Sequence, residues 1–163
     1  MKIYHGSLVV VEKPEIRTSD RFLDFGYGFY TTESFEQAKT WCDKLCRRSN
    51  CKLGYISEYD FDIESAKQQI DIIEFNGATQ QWLQFVCDNR NGACKENYDM
   101  AIGPVADDNV YEVVKLYELG TYELAEAVKR LKVEKLFNQI LFHTEESLKF
   151  LKFKLSVESH YGK

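Results

Sequence analysis

The chain has 163 residues, 44% hydrophobic and 29% charged, a size and balance that suit one globular domain with its own core. Its 21 basic and 26 acidic side chains leave a net charge of -5, which argues against a broad electrostatic grip on nucleic acid or anionic lipid but permits a nucleic-acid substrate met through a local patch. No apolar run approaches membrane-spanning length, and the N-terminus opens as a strand rather than a secretory leader. The five cysteines, Cys42, Cys46, Cys51, Cys87 and Cys94, are odd in number and lack zinc spacing. They read as reduced packing thiols of a cytoplasmic protein, with no metal expected.

Lys2 to Val11 predicts a first strand with a turn or bulge at Gly6, stopped by Pro14, then a polar loop to Asp24. Phe29-Tyr30-Thr31-Thr32 is aromatic and β-branched, as a strand prefers. Ser34 with Gln37 three residues on is a capping-box pattern. Phe35, Ala38, Trp41, Cys42 and Leu45 then follow at helical spacing. Strand passes almost directly into helix here, so Tyr30 and Trp41 can face one slot and hold a flat ring between them. Gly26 and Gly28 bracket Tyr27 and permit a bend or a close approach.

Further on, Leu53 to Phe61 alternates as a strand, Asp62 to Gln69 is a loop or short helix, and Ile70 to Phe75 is another strand closed by Asn76-Gly77. A helix follows over Thr79 to Asn89, ended by Asn91-Gly92. Tyr98 to Val105 predicts a short buried strand broken by Gly103-Pro104. The next helix begins at Asp107-Asp108-Asn109, with Asn109 and Glu112 as a cap signal, and ends at Gly120. Then come a helix over Tyr122 to Leu131, a strand over Phe137 to Thr144, a helical turn over Glu145 to Phe150 and a strand over Lys152 to Val157. Residues 1–158 are expected to form the domain and 159–163 a frayed tail. Strands and helices do not alternate strictly, so the class is α+β.

Three stretches resemble ADP-ribosyltransferases of the diphtheria-toxin and poly-ADP-ribose-polymerase type: Tyr4-His5-Gly6-Ser7, Gly28-Phe29-Tyr30-Thr31-Thr32, and the late strand Asn138-Gln139-Ile140-Leu141-Phe142. Trp41 follows Tyr30 at the eleven-residue spacing of the second nicotinamide-facing aromatic in diphtheria-type enzymes. Nearly the whole chain also resembles an uncharacterised bacterial family, domain of unknown function 3990. The shared phrases here are Tyr4 to Ser7, Asp24 to Thr32, Tyr98 to Asp108 and Gln139 to Thr144. The transferase resemblance implies a split β-sandwich of two antiparallel sheets flanked by helices, with NAD in the cleft as co-substrate.

By that resemblance, His5, Tyr30 and Gln139 are the catalytic candidates, and His5, Gly6, Tyr30, Thr31 and Trp41 bind NAD. His5 would hydrogen-bond a ribose hydroxyl, and Gly6 would offer its backbone to the carboxamide. Tyr30 and Trp41 would stack on the cationic nicotinamide, each worth about 0.5–2 kcal/mol, while Thr31 would orient the ribose. Gln139 stands where the family carries Glu, so the charge that steadies an oxocarbenium-like transition state is missing there. Asp99, Asp107, Asp108 and Glu145 are alternative acids. The implied function is mono-ADP-ribosyl transfer to a protein, nucleic-acid or small-molecule acceptor, in the setting of a toxin with a small antitoxin partner. The alternatives are a catalytically inactive NAD- or ADP-ribose-binding or protein-interaction domain of that fold, and an interaction protein whose aromatics are plain core.

Overall fold

The computed structural model describes residues 1–18, 23–94, 97–105, 108–131 and 137–162. Its strands are β1 (Lys2–Ser7), β2 (Phe29–Thr32), β3 (Leu53–Phe61), β4 (Ile72–Glu74), β5 (Met100–Pro104), β6 (Asn138–Phe142) and β7 (Leu151–His160). The helices are α1 (Phe35–Arg48), α2 (Ile63–Gln69), α3 (Gln80–Arg90), α4 (Asp108–Glu118), α5 (Leu124–Leu131) and α6 (Glu145–Leu148).

Among the described residues the strands form one sheet in the order β4-β5-β6-β2-β1-β3-β7. The mixed α+β class stands. The expected pair of antiparallel sheets is replaced by a single sheet in which β4 runs parallel to β5. Its two halves meet at a narrow join. β1 and β2 share only the registered pair Tyr4↔Thr32, whereas β1 pairs with β3 continuously from Lys2↔Asp60 to Ser7↔Tyr55. Beyond Tyr4 the two strands therefore diverge.

Each sheet face carries a core. On one face Trp82, Phe85, Val110, Val114 and Leu131 of α3, α4 and α5 pack with Ala101 and Leu141. On the other, Tyr59, Phe61, Ile140 and Phe142 pack with Ala66 of α2 and with Val11 and Ile16 of the first loop. Facing residues of paired strands share a side, so Tyr4, Thr32 and Tyr30 lie on the first face with Gly6. Helix α1 covers that face at β1 and β3. A Cβ at Gly6 would lie 2.1 Å from Ala38 O, and one at Gly54 2.3 Å from Cys42 Sγ. Two glycines and a row of small helix residues thus let α1 press close to the sheet.

Several boundaries differ from expectation. β1 stops at Ser7, because the Ser7 hydroxyl turns to donate to Val9 O, and Gly6 lies in unbroken register opposite Ile56 rather than in a bulge. The irregularity falls instead between β3 and β7, at Glu58/Tyr59. β5 runs through Gly103-Pro104, where Pro104 O accepts from the buried indole N–H of Trp82. β7 continues to His160, so Ser159 and His160 belong to the sheet and not to a tail. Asn109 lies inside α4 rather than capping it, and Asp107 lies outside the described residues. Among the described residues no helix is long and apolar enough to cross a membrane.

Candidate functional site

Where β1 and β2 part, a cavity of about 1130 Å³ opens, walled by both strands, by α1 and by the first loop. It lies just above the roughly 300–1,000 Å³ usual for ligand pockets. His5, Gly6, Tyr30, Thr31, Trp41 and Gln139 all line it. The structure thus brings these six together, but assigns several of them other work.

The His5 ring spans the gap between the strands, with Nδ1 2.7 Å from Tyr30 O. A carbonyl only accepts, so Nδ1 carries the proton and the neutral ring keeps its Nε2 lone pair as an acceptor. Burial lowers the His5 pKa, the charge of Arg17 lowers it further, and the bond to Tyr30 opposes both. The ring lies against Phe29, centroids 4.4 Å apart. His143 repeats the device: its Nδ1 lies 2.7 Å from Tyr27 O. Two imidazoles therefore hold the two ends of the Tyr27–Tyr30 segment.

The Tyr30 hydroxyl is occupied. It donates to Gly26 O at 2.6 Å and accepts from Phe25 N–H at 3.2 Å, closing the glycine turn that leads into β2. Burial raises its pKa well above the usual phenol value. Tyr30 can thus offer a ring to the cavity, but not a proton. The Thr31 hydroxyl donates to Ile140 O at 3.2 Å and is buried, so it ties β2 to β6. Gly6 is accounted for by the close approach of α1, not by room for a ligand. Trp41 is 47% exposed on α1, with the Arg48 guanidinium 5.8 Å from its ring centroid.

Gln139 lies in β6 opposite Thr32 on one side and Gly103 on the other. It is only 8% exposed, and its buried Nε2 has no hydrogen-bond partner among the described residues. A buried donor left unsatisfied costs about 1–3 kcal/mol, and here the donor belongs to a residue of the cavity wall. This orphan could not be seen in the sequence, because it depends on what β2 and β5 place beside Gln139.

The alternative acids fare differently. Asp99 accepts from the Thr144 hydroxyl at 2.7 Å and from Asp71 N–H at 3.0 Å, away from the cavity. Glu145 lies exposed in the first turn of α6 and is not part of the wall. Asp108 opens α4. The acids that do line the cavity, among the described residues, are Glu12, Glu15, Asp24 and Glu36. Asp24 is held by Arg90 at 2.7 Å, whereas Glu36 stands on α1 beside the opening. With Thr40, Lys44 and Arg48 it forms the cavity-facing side of that helix. The signal was present in the sequence as an i, i+4, i+8, i+12 row, beside the apolar row used to identify the helix.

The cysteines fit a packing role. Cys42 and Cys46 are fully buried on the sheet-facing side of α1, and burial pushes Cys46 up to about 12, with the Cys51 and Cys42 thiols beside it. Such a thiol is no nucleophile at neutral pH.

Curated proteins and solved structures gave no match to the chain. Residues 1–153 match the family model described as protein of unknown function (DUF3990), and the chain belongs to that family.

Proposed function

We propose that this chain binds NAD in the cleft between β1 and β2 and transfers its ADP-ribose to an acceptor macromolecule. The observation that carries the reading is the convergence of His5, Tyr30, Trp41 and Gln139 on one cavity, with an unpartnered amide in its wall. The narrow join at Tyr4↔Thr32 supports reading the sheet as the two leaves of a split sandwich.

The donor set suits the ligand. The Trp41 indole face, already stacked by one cation, suits a pyridinium ring. The Gln139 Nε2 supplies the donor, and His5 Nε2 the acceptor, that fix a sugar's hydroxyls. Lys44 and Arg48 on the wall suit a diphosphate. Glu36 is the carboxylate we assign to charge stabilisation near the opening. In this reading Tyr30 acts through its ring alone.

Labelled NAD incubated with the protein and a cell lysate is expected to yield labelled macromolecules and free nicotinamide. Trp41→Ala is expected to abolish both products. A flat thermal-shift response to both NAD and ADP-ribose would sink the proposal, because it removes binding itself.

One observation favours a second reading, in which the cleft binds NAD or ADP-ribose without turnover. Gln139 is uncharged, and loss of one preorganised electrostatic partner costs a transition state about 2.7–4 kcal/mol. Ligand stabilisation with neither product would select this reading. Gln139→Glu separates the two further: a gain in nicotinamide release shows that the site is built for the reaction and lacks only the charge.

A further inference from the structure

Helix α1 ends in a turn that brings two thiols together. Asn50 takes the left-handed conformation, at φ 52°. Cys51 N–H donates to Cys46 O at 3.0 Å, and Asn50 N–H to Arg47 O at 3.4 Å. These two bonds make the Schellman ending of a helix, in which the residue after the left-handed one packs on the residue that opens the last turn. Here both positions are cysteine. The 3.0 Å amide-to-carbonyl bond keeps their Cα atoms at most about 7 Å apart, close to the roughly 4.4–6.8 Å that a disulfide spans. The two thiols differ in access. Cys46 is sealed at 0% exposure against Gly54, where a Cβ would lie 3.0 Å from its sulfur. Cys51 is only half-buried and can be reached from solvent. Cys42, one helical turn back, is sealed too, and its thiol donates to Ser7 O at 3.4 Å, on the β1 side.

We propose that Cys51 and Cys46 form an oxidation site, at which a hydroperoxide oxidises Cys51 and Cys46 closes the product to a disulfide. The Cys51 thiolate attacks one oxygen of hydrogen peroxide. The O–O bond breaks, and the leaving hydroxide takes up a proton as water. Cys51 is then a sulfenic acid, which condenses with a neighbouring thiol. The Cys46 sulfur attacks the Cys51 sulfur, the S–O bond breaks, and the Cys46 proton leaves with the hydroxide as a second water. In sum, two thiols and one hydrogen peroxide give one disulfide and two waters. Burial holds the Cys46 thiol protonated, so it does not compete for the peroxide, and the second step is the slower one. A thiol reductant reverses the bond by exchange. The cleft between β1 and β2 takes no part in this chemistry, although the loop that the bond closes carries Arg48 of its wall.

The test exposes the reduced full chain to a slight excess of hydrogen peroxide, blocks the remaining thiols with an alkylating agent and maps a tryptic digest by mass. Cleavage after Lys39, Lys44, Arg47, Arg48 and Lys52 puts Cys42, Cys46 and Cys51 on separate peptides. The expected product joins peptide 45–47 to peptide 49–52 within a single chain lighter by two hydrogens, and dithiothreitol removes the link. In Cys46→Ala the Cys51 sulfenic acid is expected to persist, read as its dimedone adduct, and no link forms. In Cys42→Ala the link is expected to form as in the wild type. The proposal is overturned by a wild type whose thiols all stay open to alkylation after peroxide. A link from Cys51 to Cys42, a link found only between chains, or loss of the link in a folded Cys42→Ala chain overturns it equally. Should Cys46→Ala unfold, the wild-type map decides alone: the link between 45–47 and 49–52, in a chain that keeps its native circular dichroism, upholds the pair, and its absence refutes it.

Discussion

Gln139 and Gly6 show how one residue can be placed for a reason that its sequence neighbours do not reveal. The buried Nε2 of Gln139 has no partner, so replacing the side chain with Met, of similar length and apolar, removes an uncompensated donor. Gln139→Met is expected to raise the unfolding free energy of the ligand-free protein by up to about 1–3 kcal/mol, read from urea unfolding, while weakening any NAD-induced stabilisation. An unchanged or lower stability would show that the amide is satisfied in solution. Gly6 behaves in the opposite way. A Cβ there meets backbone, the carbonyl of Ala38, which cannot swing aside as a side chain can. Gly6→Ala must displace α1 and is expected to cost about 1–3 kcal/mol as an overpacked contact, again by urea unfolding. The sequence singled out both residues, but for ligand contact. The packing reason for Gly6 lies in Ala38 and Cys42, more than thirty residues away, and local spacing carries no such information.

Elements with a strong internal period were legible, and those whose limits depend on partners were not. The ends of β3 are legible because its burial alternates along nearly all its length, a turn precedes it and the Asp62 cap of α2 follows it directly. β1 was read too long because Leu8 to Val11 continues the apolar run, although Val9 and Val10 are exposed and only Val11 reaches a core. β7 was read too short because its polar end, Glu158 to His160, becomes strand only by pairing with Leu53 to Tyr55. The start of α1 was readable, since Ser34 Oγ accepts from Gln37 N–H at 3.2 Å as the capping pattern foretold. The reciprocal bond went elsewhere, however: Gln37 Oε1 takes the Thr32 hydroxyl, and Thr32 Oγ1 accepts Ser34 N–H. The cap thus ties α1 to β2, the two elements that carry Trp41 and Tyr30. Ser34→Ala is expected to destabilise the protein by about 0.5–2 kcal/mol in chemical unfolding. Thr32→Val removes the link between strand and cap, and is expected to add amide exchange in the first turn of α1. Exchange there that matches the wild type would show that the relay does not hold the helix.

The joining of the described strands in one sheet is the least legible feature, because partner choice is a long-range property. Nothing in Ile72 to Glu74 announces that it will run parallel to β5, or that β2 will lie between β6 and β1. The same arrangement makes one titration felt across the fold. At the join, one registered backbone pair and the His5 bond to Tyr30 O connect the halves, and the cost of charging His5 falls on that seam. Burial depresses the His5 pKa below its ordinary 6.5, so between 6.5 and the folded-state value the unfolded chain binds more protons than the folded one. Stability therefore rises with pH through that window, and is lost as pH falls from 6.5 toward the folded pKa. Asp60 and Asp62 are depressed below 3.8 by the Lys154 bond and by the Ser65 backbone amide respectively, so their contribution fails only at lower pH. His5→Gln keeps a donor for Tyr30 O and removes the titration. Chemical unfolding of the two proteins at a series of pH values is expected to give curves that run parallel above pH 6.5 and separate below it, the wild type falling more steeply. A constant difference across that range would mean that His5 takes up its proton in the folded chain as readily as in the unfolded one, and that the seam between β1 and β2 is open to water.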